Sequence, residues 1–207
     1  MATDPSVSLP RLAPPGAGLP RPELLAARLI FGLQRALSTR DRAEATLRQE
    51  RDAILLRVRA CDPVQAARPV LIPRLRGLED SSRNWSVYMT LDHLRIVNTA
   101  VATTIRQLLD GQAPAGQAST AAVKPALDVG ASVVGAFVDS CEAVIAVGQA
   151  APSLRTAARY AHPWFGPLDA EAWHFMVGFH LRLHRAQIDR IMADLERVEA
   201  RPGSERG

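Results

Sequence analysis

Apolar positions recur at spacings of three and four along most of this chain, a period that predicts helices. From Glu23 to Leu37 the pattern rests on Leu24, Leu25, Leu29, Ile30 and Leu33, at spacings that mix three, four and five. Ser38 or Thr39 suits the N-cap of a second helix, which runs through Leu47, Ile54, Leu55 and Val58 and stops at Cys61-Asp62-Pro63. The two pieces also fit one kinked helix. The stretch "PVLIPRLRGLEDSSRN" reads as a long loop, of a length that compact domains reserve for function or close packing. A further long helix is expected from near Asn84 to Leu109, with Met89, His93, Ile96, Val97, Ala100 and Thr104 on one face. "GQAPAGQASTAAV" is a linker, and Pro125 suits the first turn of a helix carrying Val129, Val133, Val134, Phe137, Cys141, Val144 and Ile145. Asp169 is a natural cap for the last helix, with Trp173, Val177, His180, His184, Gln187, Ile188 and Ile191 on its inner stripe and an end by Arg201-Pro202-Gly203. No strand pattern and no internal repeat is visible. The prediction is an all-α four-helix bundle with an extra N-terminal helix or extension. It forms a single domain over 23–198, between a flexible Pro-rich tail (1–22) and a flexible C-terminal tail (199–207).

Composition changes this picture little. With 207 residues and 47% hydrophobic content the chain can bury one sizeable core. Its most apolar region, Val129–Val147, is interrupted by Asp139 and Glu142, so no membrane span is expected. No basic region followed by an apolar stretch opens the chain, and two cysteines make no disulfide framework; a reducing cytoplasm is the default. The net charge is +4 and the isoelectric point about 9.8, with Lys124 as the sole lysine. The arginines are spread out and interleaved with acids, as in Arg40–Glu44 and Glu44–Arg48, which marks solvated helix faces and no nucleic-acid partner. The arginine bias suits a GC-rich bacterial genome.

Candidate chemistry sits in "HPWFGPLDAEAWHFMVGFHLRLHRAQI", which holds four of the five histidines. At about 100° per residue, His180 and His184 project the same way one turn apart, near the azimuth of Trp173 and so toward the core. Two buried imidazoles without partners would cost about 1–3 kcal/mol each. A metal answers that cost, and His93 on the apolar stripe of the second long helix offers a third ligand. The alternative is three hydrogen-bonded polar residues in a wet core. His174 is rotated by about 80° or more from the pair and is expected at a helix flank, outside any site. His162 before Pro163 reads as pocket rim or loop. Cys141 is within reach of the core but is more ordinarily a packing residue.

Two segments, "NWSVYMTLDHLRIVN" and "HPWFGPLDAEAWHFMVGFHLRLHRAQIDRI", resemble the DinB-like (YfiT-like) superfamily of metal-dependent enzymes over roughly Thr39 to Leu195. The shared elements are a histidine inside the second bundle helix, an HxxxH in the fourth, and the HP-x-x-G-x-L…W approach to it. The N-terminal tail and the 62–83 loop depart from the minimal pattern. The resemblance implies a four-helix bundle holding one divalent metal on three histidines, matched here by His93, His180 and His184. Relatives include transferases and isomerases that use bacterial low-molecular-weight thiols, while many members have no known reaction.

Three neutral imidazoles leave the ion's charge in place and a coordination position open. Zinc, nickel and iron all suit such a site. The ion can activate water for hydrolysis or bind a thiol as thiolate. A hydrolase also wants a general base; no acid flanks His180 or His184, and Asp92 turns about 100° away from His93. Asp139 and Glu142 are candidate acceptors for imidazole N–H groups, and Arg74 and Arg76 in "PRLRG" a candidate rim for a thiol's carboxylates. The expectation is a small-molecule enzyme, with a thiol S-transferase or isomerase ahead of a metal-dependent hydrolase. A non-catalytic metal-stabilised binding or stress protein, and a homodimer, are further expectations.

Overall fold

Three polar side chains start the long helices. In the computed structural model, which describes residues 11–199, Thr39 Oγ1 accepts the Arg42 N–H at 3.3 Å, Ser86 Oγ that of Met89 at 3.0 Å, and Asp169 Oδ1 that of Ala172 at 2.9 Å. Each satisfies an N–H that has no partner inside its helix. Of the expected tails, residues 1–10 and 200–207 lie outside the described residues.

The helices are α1 (Arg21–Ala36), α2 (Arg40–Ala60), α3 (Pro63–Ala67), α4 (Val87–Leu109), α5 (Val133–Ala150) and α6 (Ala170–Glu199). α2 packs on α6 and α5, and α4 on α5 and α6, so four helices close a ring around one core. Leu47 and Ile54 of α2, Leu91, Leu94 and Ile105 of α4, Phe137 and Ile145 of α5, and Leu181 and Ile188 of α6 fill it. The chain is the four-helix bundle expected, with α1 as the extra helix. α1 is separate from α2 and touches the body mainly through Phe31, which stacks on Phe165 with ring centres 4.2 Å apart, and through Arg35, paired with Asp169 at 2.9 Å.

Several expectations need correction. α5 starts at Val133, not near Pro125. The Ala126 N–H donates to Asp92 Oδ2 of α4 at 3.1 Å, which ties the start of the non-helical strap 125–132 to α4. Gly130, a poor helix former, falls within that strap. Four short strands exist where none was expected. β1 (Val70–Leu71) pairs antiparallel with β2 (Asn84–Trp85), and β3 (Tyr160–His162) with β4 (Gly166–Leu168). Strands of two or three residues are too short to show an alternating pattern. The first pair closes the base of the expected loop, which also contains a single 3-10 turn at Asp80–Ser82. It also delays the start of α4 to Val87.

Most of the stripe expected on α4 lines a cavity, and other residues of the helix fill the core. Leu91, Leu94, Ile105 and Leu108 face the core, whereas His93, Ile96, Val97, Ala100 and Thr104 line a cavity. Both faces are apolar, so the pattern alone did not tell which of them meets a cavity. α5 is by length and composition long and apolar enough to cross a membrane, contrary to expectation. Here it packs on α4 and α2 as a bundle helix, with Asp139 and Glu142 exposed.

Candidate metal centre

The i, i+4 spacing places His180 and His184 one turn apart on α6, with ring centres 4.4 Å apart. His93 reaches them from α4, its ring centre 5.1 Å from His180 and 4.6 Å from His184. One donor nitrogen from each of the three lies within 4.8 Å of the others. The structure thus brings together the three histidines singled out in the sequence.

Neighbouring groups set the tautomers. His93 Nδ1 lies 2.6 Å from the Val123 carbonyl oxygen, which can only accept, so Nδ1 carries the proton and Nε2 a lone pair. His184 Nδ1 lies 2.7 Å from Gln187 Oε1, and the Gln187 amide donates onward to the Ser82 carbonyl at 2.8 Å. That second bond fixes which end of the Gln187 amide faces His184, so His184 also presents Nε2. His180 Nδ1 is buried without a partner. Trp85 closes one side, its ring centre 5.0 Å from His93 and 6.1 Å from His184.

Burial keeps all three imidazoles neutral. Desolvation pushes His93 down to about 4, and His180 and His184 well below the ordinary histidine value. The charge of Lys124 adds to the depression of His93 and His184. Neutral rings with outward-held protons are the form a cation requires.

A second geometric test bears on fit. His93 Nε2 and His180 Nε2 are 3.2 Å apart. Two nitrogens each about 2.0–2.1 Å from a tetrahedral ion lie about 3.3 Å from one another. In the spacing of this pair, the tautomers of His93 and His184 and the neutrality of all three rings, the residues present could hold a divalent cation.

Other candidates fall elsewhere. Asp139 and Glu142, considered as acceptors for the imidazoles, are exposed on α5, and Glu142 pairs with Arg51. A backbone carbonyl and a glutamine do that work instead. His174, expected at a helix flank outside any site, lies outside the histidine cluster and is buried against Gly148 of α5. Cys141 is buried beneath Asn98, whose amide donates to its sulfur at 3.3 Å, and burial raises its thiol to about 12. It has no part in the histidine cluster. Asp92 accepts from Arg95 at 2.9 Å and from Ala126, which occupies both oxygens. Arg74 is tied to Glu23 and Arg76 is exposed; the loop reaches the cavity through Gly77, Leu78 and Glu79 instead. His162 accepts the Trp164 N–H at 3.1 Å, lines the cavity, and is pushed down to about 4 by burial.

Sequence reasoning put Gln187 on the inner stripe without giving it a task. Its signal was there: an amide on an apolar stripe, three residues after a candidate ligand. The Val123 carbonyl had no signal, because a backbone acceptor has no side-chain signature.

The histidines open on a cavity of about 610 Å³ between α4, α6, the β3–β4 hairpin and the 112–124 linker. No family model and no curated protein matches the chain. Among solved structures it is similar to a crystallised protein described as a four-helix bundle protein. The identity is 20% and the TM-score 0.52, over 78% of this chain and 99% of the other. At that identity the likeness is one of fold alone: the chain shares the four-helix bundle architecture.

Proposed function

We propose that His93, His180 and His184 hold one divalent ion, and that the protein is a DinB-like metalloenzyme catalysing a thiol-dependent transfer or isomerisation. The observation that carries the metal reading is the convergence of three neutral imidazoles. Two of them have their protons held away from the common point by Val123 and Gln187. Zinc, nickel and iron are all compatible with such a donor set, and availability decides occupancy.

When bound, such an ion favours the deprotonated form of a thiol or water that reaches it. The chain's own residues do the rest. Val123 and Gln187 orient the rings, Trp85 keeps water from one side, and half-buried His180 faces the cavity through which a small molecule enters. The thiol reading is favoured over hydrolysis by the state of the nearby acids. Asp92 is engaged on both oxygens, and Glu79 accepts from Thr120 at 2.7 Å and Lys124 at 2.9 Å, so neither stands free as a general base.

The test is metal analysis of tag-free protein, followed by absorption spectroscopy of the cobalt(II)-loaded form. A thiol cosubstrate should add a sulfur-to-cobalt band that strengthens as pH rises, because thiolate is the ligand. Cys61 and Cys141 should be dispensable. A stoichiometric metal with no band from any thiol, alongside turnover of a simple ester or amide, would establish the hydrolase instead. Metal with neither band nor turnover would leave a binding protein.

A further inference from the structure

We infer that the cavity takes an elongated, uncharged, apolar molecule, with its reactive head at the histidines and its body along α4. This rests on the reading of triad and cavity as one site. The cavity follows α4 from His93 to Gln107, about 21 Å of helix at 1.5 Å per residue, and α6 from Trp173 to His184. It is therefore a trough with the histidines toward one end. Its volume is within the range that encloses a drug-sized ligand.

Its walls are Ile96, Val97 and Ala100 on one side and Trp164, Met176 and Phe179 on the other. Besides the histidines, the lining residues that carry a charge at neutral pH are Glu79, Arg95 and Lys124. Each is already paired with an opposite charge of the protein. Lys124 spends its three N–H donors on Glu79, Ser81 and Ser82, at 2.9–3.0 Å. Arg95 is paired with Asp92 at 2.8 Å. A carboxylate lying along these walls would lose water without gaining a counterion, which is unfavourable. The other polar lining groups, among them Thr103, Thr104, Gln107 and Gln117, are neutral. The trough thus selects against the multiply charged thiols and for neutral lipophilic partners.

The experiment uses metal-free protein, so that no ligand is held by the ion. A neutral fluorophore, N-phenylnaphthylamine, reports occupancy, and n-octanol and n-octanoate compete for it. Octanol should displace the dye at a concentration at least about 10-fold lower than octanoate. Ala100 is exposed to the trough, so Ala100→Trp should fill it and abolish dye binding while the melting temperature stays put. Ala100→Arg should reverse the preference toward octanoate. Equal competition by both chains, or dye binding unchanged in Ala100→Trp, overturns the inference. Either result leaves the metal content, measured separately, to judge the metal reading.

A different observation carries a second proposal: the outer face of α1 pairs with α1 of a second copy of this chain. Leu25, Leu29, Ile30, Leu33 and Leu37 are 49–67% exposed. At about 100° per residue they span an arc of about 140° that contains Pro22, Ala26 and no charge. Glu23, Arg28 and Arg35 lie outside it, bonded to the body. Such a patch is on the order of 600 Å², the upper end for a monomer. Self-pairing would bury about 1,200 Å², within the range of specific interfaces. Sedimentation should show a dimer for the wild type and a monomer for Leu29→Glu/Leu33→Glu, with helical content unchanged. A monomeric wild type, whether inert or bound to neutral lipid vesicles, or a variant that still dimerises, overturns the pairing.

Discussion

His174 and His184 lie on the same helix, are both nearly inaccessible, and have opposite surroundings. His184 is 3% exposed, has its Nδ1 proton held by Gln187, and meets two other imidazoles. His174 is 1% exposed, has a buried Nε2 with no partner, and packs on Gly148. Burial depresses the charged form of both. The difference teaches that a buried, neutral histidine is not a site. Convergence of lone pairs, with the protons anchored elsewhere, is what distinguishes one from the other.

The largest effect should come from deleting a converging ring. His93→Ala, His180→Ala or His184→Ala should each remove most of the metal, measured by elemental analysis, while His174→Ala keeps it. Full occupancy in His93→Ala would break the comparison at its root, since it would reduce the site to one helix. Chelation of the wild type should lower the melting temperature by mass action without unfolding the bundle, whose core is aliphatic.

Acid should act through the same burial. His93 is pushed down to about 4 in the folded state, whereas an unfolded histidine titrates near 6.5. Below about 6.5 the unfolded chain binds a proton that folded His93 refuses, so this ring's contribution to metal-free stability falls as pH drops toward 4 and is constant beneath it. His180 and His184, pushed further down, extend the fall. At about 1.4 kcal/mol per pH unit, His93 alone accounts for roughly 3 kcal/mol. Urea unfolding between pH 7 and 4 measures it. His93→Gln should flatten the slope, and an unchanged slope would show that this ring is not the group responsible.

Removing an anchor should have a smaller effect than removing a ligand. Gln187→Leu takes away the acceptor of His184 and leaves the Ser82 carbonyl unmet. Metal affinity should fall by about 10–100-fold. Gln187→Glu, which keeps an acceptor at His184, should retain more of it. Equal affinities in competition titrations would show that His184 is oriented by packing alone.

These effects also show why part of the molecule could be read from its sequence. His180 and His184 were readable because helical periodicity maps spacing onto azimuth, and Thr39 and Asp169 because caps act locally. The boundary at Val133 was not, since no side chain caps it and the residues before it are held in part by Asp92 of another helix. Nor was the trough: Ile96 and Leu94 are equally apolar, and which of them faces a cavity depends on what α6 and the linker place opposite. The Val123 carbonyl was beyond reach for the same reason, being a long-range contact made by backbone.

The smallest predicted effects sharpen the comparison from the His174 side. A Cβ on Gly148 would sit 2.6 Å from Nε2 of the buried His174 ring. Gly148→Ala should therefore destabilise by about 1–3 kcal/mol. The cost should largely vanish in a His174→Ala background, because the clash needs both partners. His174→Leu removes the unpartnered nitrogen and keeps an apolar side chain of similar size. Its stability in urea should match the wild type or exceed it by up to about 1 kcal/mol. Metal content should not change in any of these variants. If His174→Leu lost metal as His184→Ala is expected to, the two histidines would belong to one network, and the distinction drawn between them would fail.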